Sequence, residues 1–140
     1  MSIQRVNDWI IYGKEALETL DIAENGKIVK TFRGQISSFG AAVSMGNLKS
    51  AVAFFSEQAG ASVPRENLLR AIWFVLKRSE GLTKEEIMRP PEDDPNKHPI
   101  QTDAIFDYVC ENEGAALKNK FLDAAVALKL AMNLFELIKE

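Results

Sequence analysis

The C-terminal stretch from Ala115 to Lys139 constrains the fold more than any other part of the chain. On a helical wheel its apolar residues cover most of the circumference, and the polar stripe is narrow: Lys118, Lys129, Asn133 and Glu136. Such a helix has to be surrounded by other elements, as in the centre of a bundle. Charged and amide residues interrupt its apolar run, which excludes a bilayer span. We therefore predict an all-α fold, a single domain over residues 1–140 with five or six helices around this buried helix.

Hydrophobic residues at three- and four-residue spacing predict the other helices. These cover residues 3–20, 27–43, 48 to about 58, 64–79 and 101–113. Gly60 closes the third of them, and Asn25-Gly26 is a turn signal after the first. Thr83 and Glu86 form a capping box that starts a short helix. The prolines between Arg89 and Pro99 predict a loop.

Composition narrows the class of protein. The net charge of −3 and the pI of about 5.3 argue against a free-standing nucleic-acid binder, because such domains are usually basic. Cys110 is the single cysteine, which excludes an intramolecular disulfide and indicates a reducing compartment. It lies on the apolar side of its helix, so we expect an inert, buried thiol. The N-terminus lacks the pattern of a signal peptide, and we expect a cytoplasmic protein with no membrane partner.

The distribution of charge is more informative than its sum. The 32 residues from Asn25 to Ser56 contain no Asp or Glu, although the acid content of the whole chain would place about four or five there. This stretch carries +4, and the rest of the chain therefore carries −7. Its four cations are Lys27, Lys30, Arg33 and Lys49. Because nothing in this segment repels phosphate, we predict that these four residues bind a polyanion, which is RNA under the family resemblance described next. A chance gap in the acids, with solvated lysines, is the alternative.

The same segment resembles a known family. Phe32-Arg33, Ile36, Phe39, a glycine turn at Met45-Gly46-Asn47-Leu48 and the run from Ala51 to Phe55 are similar to the small helical subunit of the Cmr-type (type III-B) CRISPR complex. The resemblance continues more faintly through the helix from Leu68 to Leu76 and the last helix. It implies a non-catalytic subunit in antiviral defence that stacks in several copies along the backbone subunits. Its partners would be those subunits, copies of itself, the guide RNA and single-stranded target RNA.

An aromatic residue flanked by two arginines marks the fourth helix. Arg70, Phe74 and Arg78 follow one another at four-residue spacing, on the face away from the predicted inner arc. A base could stack on such a ring, a neighbouring protein could cover it, or another helix of the same domain could pack on it. We select Arg70, Phe74 and Arg78 as the candidate subunit interface.

Catalytic and metal-binding patterns are missing from the sequence. Glu85 and Glu86 are explained by helix capping, and the single histidine, His98, lies among prolines without a partner on a helix. Asp94, Asn96 and His98 lack the glycine and the distal glutamate of a calcium loop. We therefore expect no enzyme activity, no metal and no cofactor.

A second function fits the same residues. The chain could be a helical interaction module or homodimeric adaptor without an RNA role, in which Phe74 and Ile11 are buried against a partner. Co-purification of a single protein partner without nucleic acid would favour this alternative. A gene neighbourhood that encodes the other CRISPR subunits would favour the RNA-binding subunit.

Overall fold

The computed structural model describes residues 2–56 and 64–139. The helices are α1 (Ile3–Thr19), α2 (Lys30–Met45), α3 (Leu48–Ser56), α4 (Glu66–Ser79), α5 (Lys84–Ile87), α6 (Thr102–Glu111) and α7 (Ala115–Met132), and the strands are β1 (Ala23–Glu24), β2 (Lys27–Val29) and β3 (Glu136–Ile138). The mostly helical architecture of the described ranges confirms the predicted class. Gln58 and Gly60, which were expected to end and close the third helix, lie outside the described residues.

Helix α7 lies at the centre of the bundle and packs against α1, α2 and α4. Its buried residues include Phe121 and Leu128, both fully inaccessible to solvent. Helices α1 and α7 cross closely at Gly13 of α1, where an added Cβ would lie 3.2 Å from the Cβ of Ala131. The core position of this helix, expected from its nearly continuous apolar surface, is therefore confirmed.

A small sheet precedes α2, where the sequence predicted the first turn of a helix. Asn25 and Gly26 have φ angles of 54° and 77°, as a two-residue type I′ hairpin turn requires. This turn pairs β1 with β2 in an antiparallel arrangement. The prediction that α2 begins at residue 27 is wrong, and α2 starts at Lys30 instead.

The C-terminal residues complete this sheet. Helix α7 ends at Met132, and β3 runs parallel to β2, with the amide N of Glu136 donating to the carbonyl of Gly26 at 2.9 Å. The prediction of a helix that continues to Lys139 is wrong. The apolar spacing fits a helix, but the open edge of β2 offers backbone hydrogen bonds to an extended segment at this point.

Two side chains point the opposite way from their predicted orientation. Phe74 is fully buried, because α4 packs against α1 and α7 and also contacts α3 and α6. Cys110 is exposed, because α6 buries Ile105 and Val109 along one line and the next residue lies about 100° further around the helix.

Candidate nucleic-acid interface

The four cations that the sequence grouped together do not form one surface. Lys30 and Arg33 lie in the first turn of α2, where Lys30 is exposed and Arg33 half-buried. Lys27 lies in β2 and is in register with Glu24 of β1 and Glu136 of β3. Residues directly opposite each other on neighbouring strands point to the same face, so Lys27 has a carboxylate on either side. It does not belong to a surface free of acids.

Lys49 lies at the other end of α2. Since α2 has 16 residues and a helix rises about 1.5 Å per residue, its two ends are about 24 Å apart. Lys49 follows the C-terminal end, in the first turn of α3, and its Nζ is 3.9 Å from Oε2 of Glu113. The structure therefore brings together only Lys30 and Arg33 of the four predicted RNA contacts.

A groove runs between α2 and α7. We call it the α2–α7 groove, and it has a volume of about 240 Å³. Its lining residues are Ile36, Ser37, Gly40, Ala41, Ser44, Leu122, Ala125, Val126 and Lys129. At one end Nη1 of Arg33 donates a hydrogen bond to Oδ1 of Asn133, which joins α2 to the turn after α7. The two helices are therefore antiparallel along the groove.

Cations continue along the α7 side of the groove. Lys129 lies in its wall, and Lys118 precedes Leu122 by one helical turn on the same face. Arg33 and Lys129 therefore lie towards one end of the groove, and Lys118 lies one turn beyond Leu122 at the other end. Lys129 and Asn133 of the polar stripe that the sequence showed thus lie beside the acid-free helix α2, whereas Glu136 of that stripe lies in β3.

The carboxylates of these two helices do not reach the groove. Helix α2 has none, and the single acid of α7 is Asp123, which is fully buried. Nη2 of Arg5 lies 2.6 Å from Oδ2 of Asp123, and Nε of Arg5 donates to the same oxygen at 2.7 Å. The arginine of α1 therefore neutralises Asp123 inside the bundle, and the solvent-facing side chains of α2 and α7 include no acid.

Small residues cover the surface of α2 between this groove and α3, which we call the α2 ridge. Gly34, Ser37, Ser38 and Ala41 are all exposed there. An added Cβ at Gly34 would meet no atom within 4 Å. A polymer backbone can therefore approach this helix closely.

The two arginines predicted to form a subunit interface make contacts within the fold. Nε of Arg70 donates to the carbonyl of Ile100 at 3.0 Å, and Nη1 donates to Oδ1 of Asn67 at 3.0 Å. Burial lowers the pKa of Arg70 from its ordinary value, while Glu66 acts in the opposite direction. Since Phe74 between them is buried, the predicted exposed triplet does not exist.

Arg78 is likewise engaged within the bundle. Its Nε donates to Oε1 of Glu15 in α1 at 2.7 Å, and its Nη1 donates to the carbonyl of Leu82 at 3.1 Å. The guanidinium carbon lies 5.0 Å from the centre of the Tyr12 ring. Arg78 therefore ties α4 to α1.

An exposed aromatic ring beside a guanidinium group occurs at another position. Phe54 of α3 is 58% exposed, and the guanidinium carbon of Arg65 lies 4.3 Å from the centre of its ring. No functional role was predicted from the sequence for Phe54, Arg65, Lys118 or Lys129. The low acid content of α7 was a usable signal for the lysines, but nothing local indicated that α7 lies beside α2.

His98 is held in a neutral form. Its Nδ1 accepts a hydrogen bond from the amide N of Ile100 at 2.9 Å. Burial lowers the pKa of His98, and the positive charge of Arg70 lowers it further.

In the described residues no three His, Cys, Asp or Glu side chains lie close enough to share a metal ion. No helix in this part of the chain combines the length and the apolar surface that a membrane span requires.

No protein-family model, curated protein or solved structure matches the chain.

Proposed function

We propose that the protein is a non-catalytic RNA-binding subunit of a Cmr-type (type III-B) CRISPR complex. Several copies lie side by side along the backbone subunits that hold the guide RNA. Each copy contacts the sugar-phosphate chain of guide or target RNA, and base pairing with the guide supplies the sequence specificity. Repetition along one strand turns weak individual sites into useful avidity.

The observation that carries this proposal is the α2–α7 groove, with cations at both ends and the single acid of the two helices neutralised inside the bundle. The start of α2 adds to the positive potential. Its first turn carries Lys30 and Arg33 and no acid, and Val29 before it provides no side-chain cap. The unpaired N–H groups of a helix N-terminus favour anions, and here two cations reinforce that preference.

The assignment to the Cmr type rests on the sequence resemblance. Of the residues that carry it, Phe32, Ile36 and Phe39 are buried in the core. These three residues therefore support the same packing of α2 in this chain and in the family that it resembles. Arg33 supports a contact with RNA that is common to both. The experiments separate the RNA-binding role from the type of complex.

The RNA-binding role is tested with fluorescein-labelled single-stranded RNA in titrations at increasing KCl concentration. In the double variant Arg33→Gln/Lys129→Gln we expect weaker binding. The slope of the logarithm of the binding constant against the logarithm of the salt concentration should become less steep by about 1.4, because each lost phosphate contact contributes about 0.7. The charge-matched control is Arg89→Gln/Lys97→Gln, which changes two exposed cations in the proline-rich loop. An unchanged slope in the first variant would contradict the assignment of this groove.

Arg33 also makes a structural contact, so a second control is needed. Asn133→Ala removes the acceptor of the Arg33 hydrogen bond without changing any charge. We expect this variant to bind RNA with the slope of the unmodified protein. If it loses as much affinity as the double variant, the groove acts through its shape and not through its charges.

The type of complex is tested by affinity purification of the tagged protein. We expect a CRISPR RNA together with a polymerase-like subunit, backbone subunits and a guide-binding subunit. Recovery of one protein partner without nucleic acid would instead indicate the adaptor. That second candidate is favoured by Ile11 and Leu134, which are 63% and 60% exposed.

A further inference from the structure

Phe54 is an apolar side chain that the fold leaves in water. Phe54 is 58% exposed, whereas the next residue, Phe55, is buried with 2% exposed. The two rings meet at a centroid distance of 5.7 Å and an angle of 67°, so Phe55 supports Phe54 from the core side. This contact anchors one edge of the Phe54 ring and leaves much of it accessible.

Arg65 is fixed over this ring. Its Nε donates to the carbonyl oxygen of Phe54 at 3.0 Å, which holds the residue before α4 against the end of α3. The guanidinium carbon then lies 4.3 Å from the ring centre. An aromatic ring and a guanidinium group held together in this way form a surface on which a planar group can stack without further ordering.

The surroundings suit a nucleobase. A depression of about 450 Å³ surrounds the ring, and the lining residues are Thr31, Gly34, Gln35, Ser38, Phe54, Phe55 and Arg65. The exposed hydroxyl group of Ser38 in α2 can donate to or accept from the edge of a base. None of these lining residues is an acid.

We propose that Phe54 and Arg65 form a stacking site for one unpaired base of an RNA strand that lies in the α2–α7 groove. This inference rests on the proposed function, because the groove holds the phosphates of the same strand. The small residues of the α2 ridge separate the groove from the stacking site, so a strand crosses α2 close to the helix. A base in a duplex is already stacked on its neighbours, and the site therefore selects single strands. Stacking accepts every base and is typically worth about 5- to 160-fold in affinity.

The test compares two probes of equal length, an oligo(U) RNA and an abasic oligomer with the same number of phosphates. We expect the unmodified protein to bind oligo(U) about tenfold more tightly than the abasic chain. Phe54→Ala should remove this difference and leave the affinity for the abasic chain unchanged. Ile11→Ala, a truncation of another exposed apolar residue, should preserve the difference.

Phe54→Trp provides a second readout. Its fluorescence should be quenched by oligo(U) and not by the abasic oligomer, after subtraction of the same titration with the unmodified protein. Equal binding of both probes by the unmodified protein would overturn the stacking site and leave the proposed function intact. Failure of both probes to bind would overturn both. Self-association in sedimentation that Phe54→Ala abolishes would show that a second protein copy occupies this ring and would also overturn the proposal.

Discussion

Arg5 of α1 lies against Asp123 of α7, with the guanidinium Nη2 2.6 Å from the carboxylate Oδ2. The two residues are 118 positions apart in the sequence. Asp123 is fully buried, whereas the Arg5 side chain is 32% exposed. This ion pair links the first helix to the central helix. It also keeps the only carboxylate of α7 out of the α2–α7 groove, so the stability of the fold and the charge of the candidate site depend on the same contact.

We expect Asp123→Asn to lower the free energy of unfolding by about 3 kcal/mol. Breaking a buried ion pair typically costs 3–5 kcal/mol, and the partial exposure of Arg5 places this pair at the lower end. The measurement is urea denaturation of a double-mutant cycle with Arg5→Met. The loss of unfolding free energy in the double variant should be smaller, by about 1–3 kcal/mol, than the sum of the losses in the two single variants. Additive losses would contradict a direct interaction.

Phe74→Ala should destabilise the protein by about 3–5 kcal/mol, because it opens a cavity in the core at a residue with no exposed surface. The matched control is Phe54→Ala, which truncates the same side chain at an exposed position. It should cost less than about 1 kcal/mol, the typical worth of its exposed contact with Arg65. Thermal unfolding of both variants checks this difference. Similar losses would show that Phe54 also belongs to the core.

Two glycines in helices should respond in opposite directions to a larger side chain. Gly13→Val places atoms against the backbone of α7, where even a Cβ would lie 3.3 Å from the carbonyl oxygen of Ala127, and should cost about 2–3 kcal/mol. Gly34→Ala meets open space in the interior of α2 and should stabilise the protein by about 0.5–1 kcal/mol. Chemical denaturation measures both. A stabilising Gly13→Val would contradict the close crossing of α1 and α7.

His98 should make stability depend on pH in weakly acidic solution. Its pKa is lowered in the folded state, so the unfolded chain takes up the proton first as the pH falls below about 6.5, the ordinary pKa of histidine. Neutral His98 therefore contributes fully to the free energy of unfolding above the ordinary pKa of histidine. This contribution is lost as the pH falls from that value through the lower pKa of the folded state. His98→Asn keeps an acceptor for the amide of Ile100 and cannot titrate. The stability difference between the two proteins should shift in favour of the variant between pH 7 and 5, and a constant difference would contradict this role.

The helices could be predicted from the sequence because their signals are local. Apolar spacing placed α1, α4 and α7, and Thr83 with Glu86 marked the start of α5. The capping box is present, with the amide N of Glu86 donating to Oγ1 of Thr83 at 3.1 Å. The sheet was not predicted, although Asn25-Gly26 carried the signal for a hairpin turn. The third strand could not be inferred in this way, since an edge for it to join exists only once the hairpin has formed.

The sequence by itself determined where the helices form and that the last one is buried, because both follow from the periodicity of neighbouring residues. Only the tertiary structure decided which charges share a surface. It placed Glu24 and Glu136 beside Lys27, paired Lys49 with Glu113, and set Lys129 of α7 in the groove beside α2. Electrostatic interactions act through space between residues far apart in the chain, so an acid-free stretch of sequence is not yet an acid-free surface.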